Sequence, residues 1–139
     1  MDQYAILLPG DEDAWQRAGE AERAATYDRH RRFSELLAER GHAIVGGAEL
    51  THSATARVVR GDLDDITVSE GPYAETVEQL SGFYVVDSDD LDDLLNISGL
   101  LAENGAVEVR AAVEAPAADP APDAADASAP EPRAPAGVS

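Results

Sequence analysis

His30 is the side chain whose type and spacing best suit proton transfer in this chain of 139 residues. A neutral imidazole near pH 7 accepts or donates a proton efficiently when a carboxylate orients it. His30 lies one helical turn before Phe33 and two before Leu37, so a helix here puts all three on one inward stripe. The same place also suits a helix histidine that only hydrogen-bonds a neighbour. Glu70 is the candidate partner, because it precedes Gly71-Pro72, a rigid turn able to aim a carboxylate into a cleft. Its alternative role is that of a turn residue accepting backbone amides. Tyr73, beside the same turn, either lines a pocket or plugs a subunit interface. Arg57 and Arg110 fall in strand-like stretches. Inside a cleft, an arginine grips a carboxylate or phenolate with two donors. On an open strand it pairs with a nearby acid, and Glu75, Glu78 and Glu108 are at hand.

Other chemistries are poorly supported. His30, His42 and His52 stand twelve and ten residues apart, a spacing that matches no metal-ligand motif, and no metal is expected. The acidic run Asp87, Asp89, Asp90, Asp92 and Asp93 lacks the central glycine and terminal glutamate of a calcium loop and reads as a solvated helix start. No nucleophile elbow, phosphate-binding loop or dinucleotide fingerprint occurs. With no cysteine, disulfides, thiolate metal sites and thiol catalysis are excluded. The net charge of −18, with arginine as the only strong base, argues against a nucleic-acid surface and against anionic lipid. No apolar run approaches the ~20 residues of a membrane span, and no signal segment is expected from the first residues, so a cytoplasmic location is expected.

The elements that must position these groups follow from periodicity. Tyr4–Leu8 reads as a buried strand stopped by Pro9-Gly10. Asp11, Glu12 and Asp13 suit a helix start, and Ala18, Ala21, Ala25, Phe33, Leu36 and Leu37 carry the apolar steps to Arg40-Gly41, with Gly19 marking a possible break. Ala43–Val45 leads as a strand into Gly46-Gly47. Alternation over 54–59 and the run Ile66–Val68 form a hairpin turning at Gly61-Asp62. Leu80–Val86 reads as a central strand. A second helix, capped by Asp87 or Ser88, follows with Leu91, Leu94, Leu95 and Leu101 on its apolar face, and Val107–Val113 is a last strand.

This order predicts an α+β fold: a ferredoxin-like split βαβ unit, with an antiparallel sheet and both helices on one face. Apolar residues on both faces of the strands predict a second copy on the open face, hence a homodimer. Residues 115–139 hold ten alanines and six of the eight prolines but no aromatic residue. They read as a disordered Ala/Pro-rich acidic tail of charge −3, leaving −15 on a single domain over residues 1–114.

The stretch EGPYAETVEQLSGFYVVDSDDLDDLL (Glu70–Leu95) resembles the signature of YCII-related proteins of the DGPF type. GGAELTHSATARVVR (Gly46–Arg60) and GAVEVR (Gly105–Arg110) fall where that family carries its other typical segments, and the likeness covers residues 3–113. It implies a dimeric α-β barrel built from ferredoxin-like subunits. The signature's Asp and Phe stand here as Glu70 and Tyr73, and the proline that often follows the final Val-Arg is replaced by Ala111. HRRFSELLAERG resembles the place where catalytic members of the wider family carry their histidine, eleven residues before a glycine. The resemblance also implies a possible association with sigma factors. Two functions follow as expectations. One is a dimeric small-ligand-binding or regulatory module. The other is a cofactor-independent hydrolase or lyase in which His30 moves the proton, Glu70 orients it, and Tyr73 with Arg57 holds a polar ligand.

Overall fold

The computed structural model describes residues 1–103 and 105–114. The predicted acidic tail lies outside the described residues. Among the described residues, six strands and three α-helices make up the fold. Strands β1 (Asp2–Asp11), β2 (Ala43–Glu49), β5 (Glu78–Ser88) and β6 (Glu108–Ala111) form a four-stranded sheet in the order β2-β5-β1-β6. Every neighbouring pair is antiparallel. Strands β3 (Arg57–Asp62) and β4 (Asp65–Glu70) pair separately as a hairpin. Helices α1 (Glu12–Arg17) and α2 (Glu20–Glu39) follow β1, and α3 (Leu91–Ser98) follows β5. The sheet order is that of the ferredoxin-like unit, with the hairpin inserted between its second and third strands.

The core lies between the sheet and the helices. Tyr4, Ile6 and Val86 project from one sheet face against Phe33 and Leu37 of α2 and Leu94 and Ile97 of α3. Cross-strand pairing of Tyr4 with Val86 and of Ile6 with Tyr84 aligns these side chains on that face. The opposite face carries Ala5 beside Val85 and Leu7 beside Phe83. None of these four belongs to the core cluster.

Several elements differ from the sequence reading for identifiable reasons. Strand β1 continues through Pro9-Gly10 because a register shift falls between Leu8 and Pro9. There β1 has already passed β6, which pairs only with Tyr4–Leu7, so the missing proline N–H interrupts no ladder on that side. The break at Gly19 is real. Asp11 caps α1 by accepting from the Ala14 amide at 3.0 Å, and α2 restarts at Glu20 with the Glu22 carboxylate accepting from the Gly19 amide. Gly41, at φ +87°, turns the chain after α2.

The apolar stripe of α2 is buried only in its second half. Ala21 and Ala25 are exposed because the first half of the helix overhangs a cleft rather than the sheet. Residues 53–55 form a 3₁₀ turn in place of the start of a strand, and the hairpin turns at Leu63-Asp64 rather than Gly61-Asp62. Asp90, not Asp87 or Ser88, caps α3 by accepting from the Asp93 amide at 3.1 Å. The helix therefore buries Leu94 and Ile97, while Leu91 and Leu95 remain exposed. No described helix is long and apolar enough to cross a membrane.

Candidate functional site

A large open cleft of about 1380 Å³ lies beneath the first half of α2, bounded by the ends of β1, β2 and β5. His30 and Tyr84 meet in it. The His30 Nδ1 lies 2.7 Å from the Tyr84 hydroxyl, and both side chains are half-buried. The pairing depends on α2 packing across β5. Phe33, one turn after His30, is fully buried and holds the Tyr84 ring at a centroid distance of 5.0 Å. From the other side, Gly47 of β2 presses its backbone against the same tyrosine. At its φ of +149°, an added Cβ would sit 2.6 Å from the Phe83 carbonyl oxygen and 3.3 Å from the Tyr84 ring.

Burial lowers the His30 pKa below its ordinary value, against a smaller opposing effect of the Glu49 carboxylate, so the imidazole is neutral at pH 7. Burial, and then Glu49, raises the Tyr84 pKa and keeps that phenol protonated. Nδ1 is engaged by Tyr84, and among the described residues no group hydrogen-bonds Nε2. If Nδ1–H donates to the tyrosine oxygen, Nε2 holds a lone pair for accepting a proton. If Tyr84 donates to Nδ1, Nε2–H becomes a donor. Glu49, on the end of β2, accepts from the Tyr27 hydroxyl at 3.2 and 3.1 Å. The Tyr27 ring meets Trp15 edge to face at 5.6 Å, and the Arg23 guanidinium lies 5.3 Å over the Trp15 ring.

The sequence-predicted residues divide between this cleft and the hairpin. His30 lines the cleft; Glu70, Tyr73 and Arg57 do not. Glu70 ends β4 directly opposite Arg57 of β3, so the two stand together on the exposed hairpin. The structure therefore does not bring Glu70 to His30; the carboxylate whose field reaches the imidazole is that of Glu49. Arg57 donates to the Thr55 carbonyl at 3.0 Å. Tyr73 is 85% exposed and lines a smaller groove of about 380 Å³, which shares Leu50, Thr51 and His52 with the large cleft. Arg110 pairs with Glu108 at 3.7 Å on the open sheet face, the strand-surface role weighed for it. Sequence pattern does not single out Tyr84 or Glu49, although Tyr84 falls on the expected central strand, where its spacing of two from the core residue Val86 puts it on the helix-covered face.

The other two histidines serve structure. His52 caps the 3₁₀ turn by accepting the Ala54 amide at Nδ1, so Nε2 carries the proton that it donates to Asp13 at 2.9 Å. That hydrogen bond is the main reason its pKa is raised. Glu12 accepts from both the amide and the hydroxyl of Ser53. His42 is 6% exposed and sits between Ser88, at 2.8 Å from Nδ1, and Asp93, at 2.9 Å from Nε2. The order Ser–His–Asp resembles a hydrolytic triad, yet Ser88 is 1% exposed and out of a substrate's reach. Among the described residues, no cluster of three or more His, Asp or Glu side chains is placed to hold a metal ion.

A ferredoxin-like α+β unit with an open cleft between α2 and the sheet is the class of protein that this geometry defines. The chain belongs to the YCII-related family, whose domain matches residues 3–116. It is also similar to an uncharacterised protein of Rhizobium meliloti (strain 1021), with 32% identity over 119 residues, covering 77% of this chain and 89% of the relative.

Proposed function

We propose that this protein is a homodimeric small-molecule-binding module whose ligand enters the cleft over His30 and Tyr84. The observation that carries the proposal is the 2.7 Å His30–Tyr84 pair, half-buried in a cleft large enough for a metabolite-sized ligand. A polar pair at such depth costs desolvation, and a ligand bonded to Nε2 would use the donor or acceptor that the pair leaves open. Tyr73, Glu70 and Arg57 belong in this reading to an outer surface: Tyr73 extends the binding area through the adjoining groove, and Arg57 and Glu70 brace the hairpin behind it. The homodimer is supported by the open sheet face, where Ala5, Leu7, Phe83 and Val85 form an apolar surface outside the core cluster. Light scattering is expected to return twice the chain mass; the mass of a single chain at micromolar concentration would rule the dimer out. A sigma factor is the regulatory partner that the family resemblance implies, and the exposed Val59, Ile66 and Val68 of the hairpin offer it an apolar surface.

Catalysis is the second reading, and the lowered His30 pKa favours it. A neutral imidazole oriented by Tyr84 suits a general base for hydrolysis or elimination, with Glu49 stabilising the imidazolium in place of Glu70. The test of the binding reading is a small-molecule screen against the full chain, read from the His30 ring protons and the Trp15 indole by NMR. Ligands are expected to shift both signals together, and His30→Ala, read at Trp15, should weaken binding about five- to tenfold, the loss of the one hydrogen bond to Nε2. Hits that move only signals of the hairpin would sink the assignment. The His30 ring should titrate below the ordinary histidine range, and Glu49→Gln should lower it further.

A further inference from the structure

Resting on the reading of the cleft as a ligand site, we infer that its ligand is an organic cation, an ammonium or amidinium group carried on an apolar or aromatic body. Six acidic residues and two arginines are among the described residues lining the cleft, in a chain of net charge −18. Both arginines are already engaged. Arg23 donates to the Trp15 carbonyl from Nε and Nη2, at 3.3 and 2.9 Å, and to the Gln16 carbonyl at 3.0 Å. Arg29 donates to the Leu100 carbonyl at 2.8 Å and pairs with Glu103 at 3.0 Å. Arg57, the residue expected to hold an anion, lies off the cleft.

Glu49 is the opposite case. Among the described residues its carboxylate accepts only from the Tyr27 hydroxyl, and no basic group forms an ion pair with it. The field of that carboxylate extends over the Tyr84 phenol and the His30 imidazole, both neutral at pH 7. The exposed Glu49 carboxylate, with no ion-pair partner among the described residues, attracts a cation through its own charge and through the Tyr27 ring beside it, whereas the Trp15 ring already carries the Arg23 guanidinium. The surplus of carboxylates lining the cleft draws cations inward and repels anions. A ligand with an aromatic or aliphatic body would bury that body against Tyr27 and Tyr84 while its charged end meets Glu49.

Three probes of one shape separate the possibilities: phenethylammonium, 2-phenylethanol and 3-phenylpropionate, each titrated into the full chain at low salt. Trp15 is the sole tryptophan, so its fluorescence reports the cleft directly, with the His30 ring protons as a second signal. The cation is expected to bind about tenfold more tightly than the alcohol, and the propionate more weakly than either. Added salt should narrow that gap. Glu49→Gln should remove the advantage of the cation while leaving the affinity for the alcohol unchanged. Asp28→Asn, on the exposed side of α2 where Asp28 pairs with Arg31, should leave all three affinities unchanged. Equal or tighter binding of the alcohol or the propionate overturns the cation inference and leaves the cleft a ligand site. No response at Trp15 or His30 to any of the three overturns the ligand-site reading itself.

Discussion

Phe33→Ala is expected to destabilise the fold by about 3–5 kcal/mol, the range for deleting a fully buried phenylalanine. Phe33 is 0% exposed and sits at the centre of the core cluster, between the sheet residues Ile6 and Val86 and the α3 residues Leu94 and Ile97. Alanine there loses the transfer energy of the ring and leaves a cavity whose walls belong to three different elements, so partial collapse cannot fill it. A domain of this size has about 5–15 kcal/mol of stability in all, so the loss is a large fraction of the total. The site should suffer with the core, because the Tyr84 ring rests on Phe33 at 5.0 Å and Tyr84 orients His30. Urea denaturation measures the first effect, and the His30 pKa the second, which should move back toward its ordinary value as packing loosens. A loss under about 1 kcal/mol would show that the α2–sheet packing is not as described.

His42→Ala is expected to cost about 2–3 kcal/mol and to alter the acid branch of the stability profile. The imidazole joins three places in one chain of hydrogen bonds: the turn after α2, Ser88 at the end of β5 and Asp93 in the first turn of α3. Removing it strips buried Ser88 of one partner and Asp93 of another. In the intact protein, the hydrogen bond from His42, followed by the Arg40 guanidinium, holds the Asp93 carboxyl below its ordinary range. A carboxyl lowered in the folded state adds stability that is fully present above its unfolded pKa. That contribution is lost as pH falls through the folded value. Intact protein should therefore lose this contribution between the ordinary carboxylate range and more acidic pH, and the loss should be smaller in His42→Ala. Asp93→Asn should shrink the same acid-dependent step while keeping the cavity filled. Identical acid branches in all three proteins would refute the linkage.

Much of the architecture was legible because it is written in local order. The break at Gly19, the central strand containing Phe83 and Tyr84, the capped second helix and the alternating last strand are all short-range patterns, and each occurs within a residue or a few of its expected place. Where local reading went astray, a long-range contact decided the outcome. Pro9 stays in a strand because β6 is too short to need its amide. Ser88 is not a helix cap because it turns inward to His42, leaving that task to Asp90. Leu95 is exposed although it continues the leucine pattern, because α3 lays Leu94 and Ile97 against the sheet.

The candidate site divides along the same line. By itself the sequence determined the α+β class, the family resemblance, the exclusion of thiol chemistry and the choice of His30, since composition, periodicity and motif order need no partner element. Only the tertiary structure decided what His30 meets. Its partner Tyr84 lies 54 residues away in the chain, and the carboxylate that acts on it is Glu49 of β2 rather than the motif residue Glu70. Hydrogen bonds and Coulomb fields act over a few ångströms through space, whereas sequence spacing orders side chains only within one helix or strand. Packing α2 across β5 brought histidine and tyrosine together, and closing β3 on β4 set Glu70 opposite Arg57 instead.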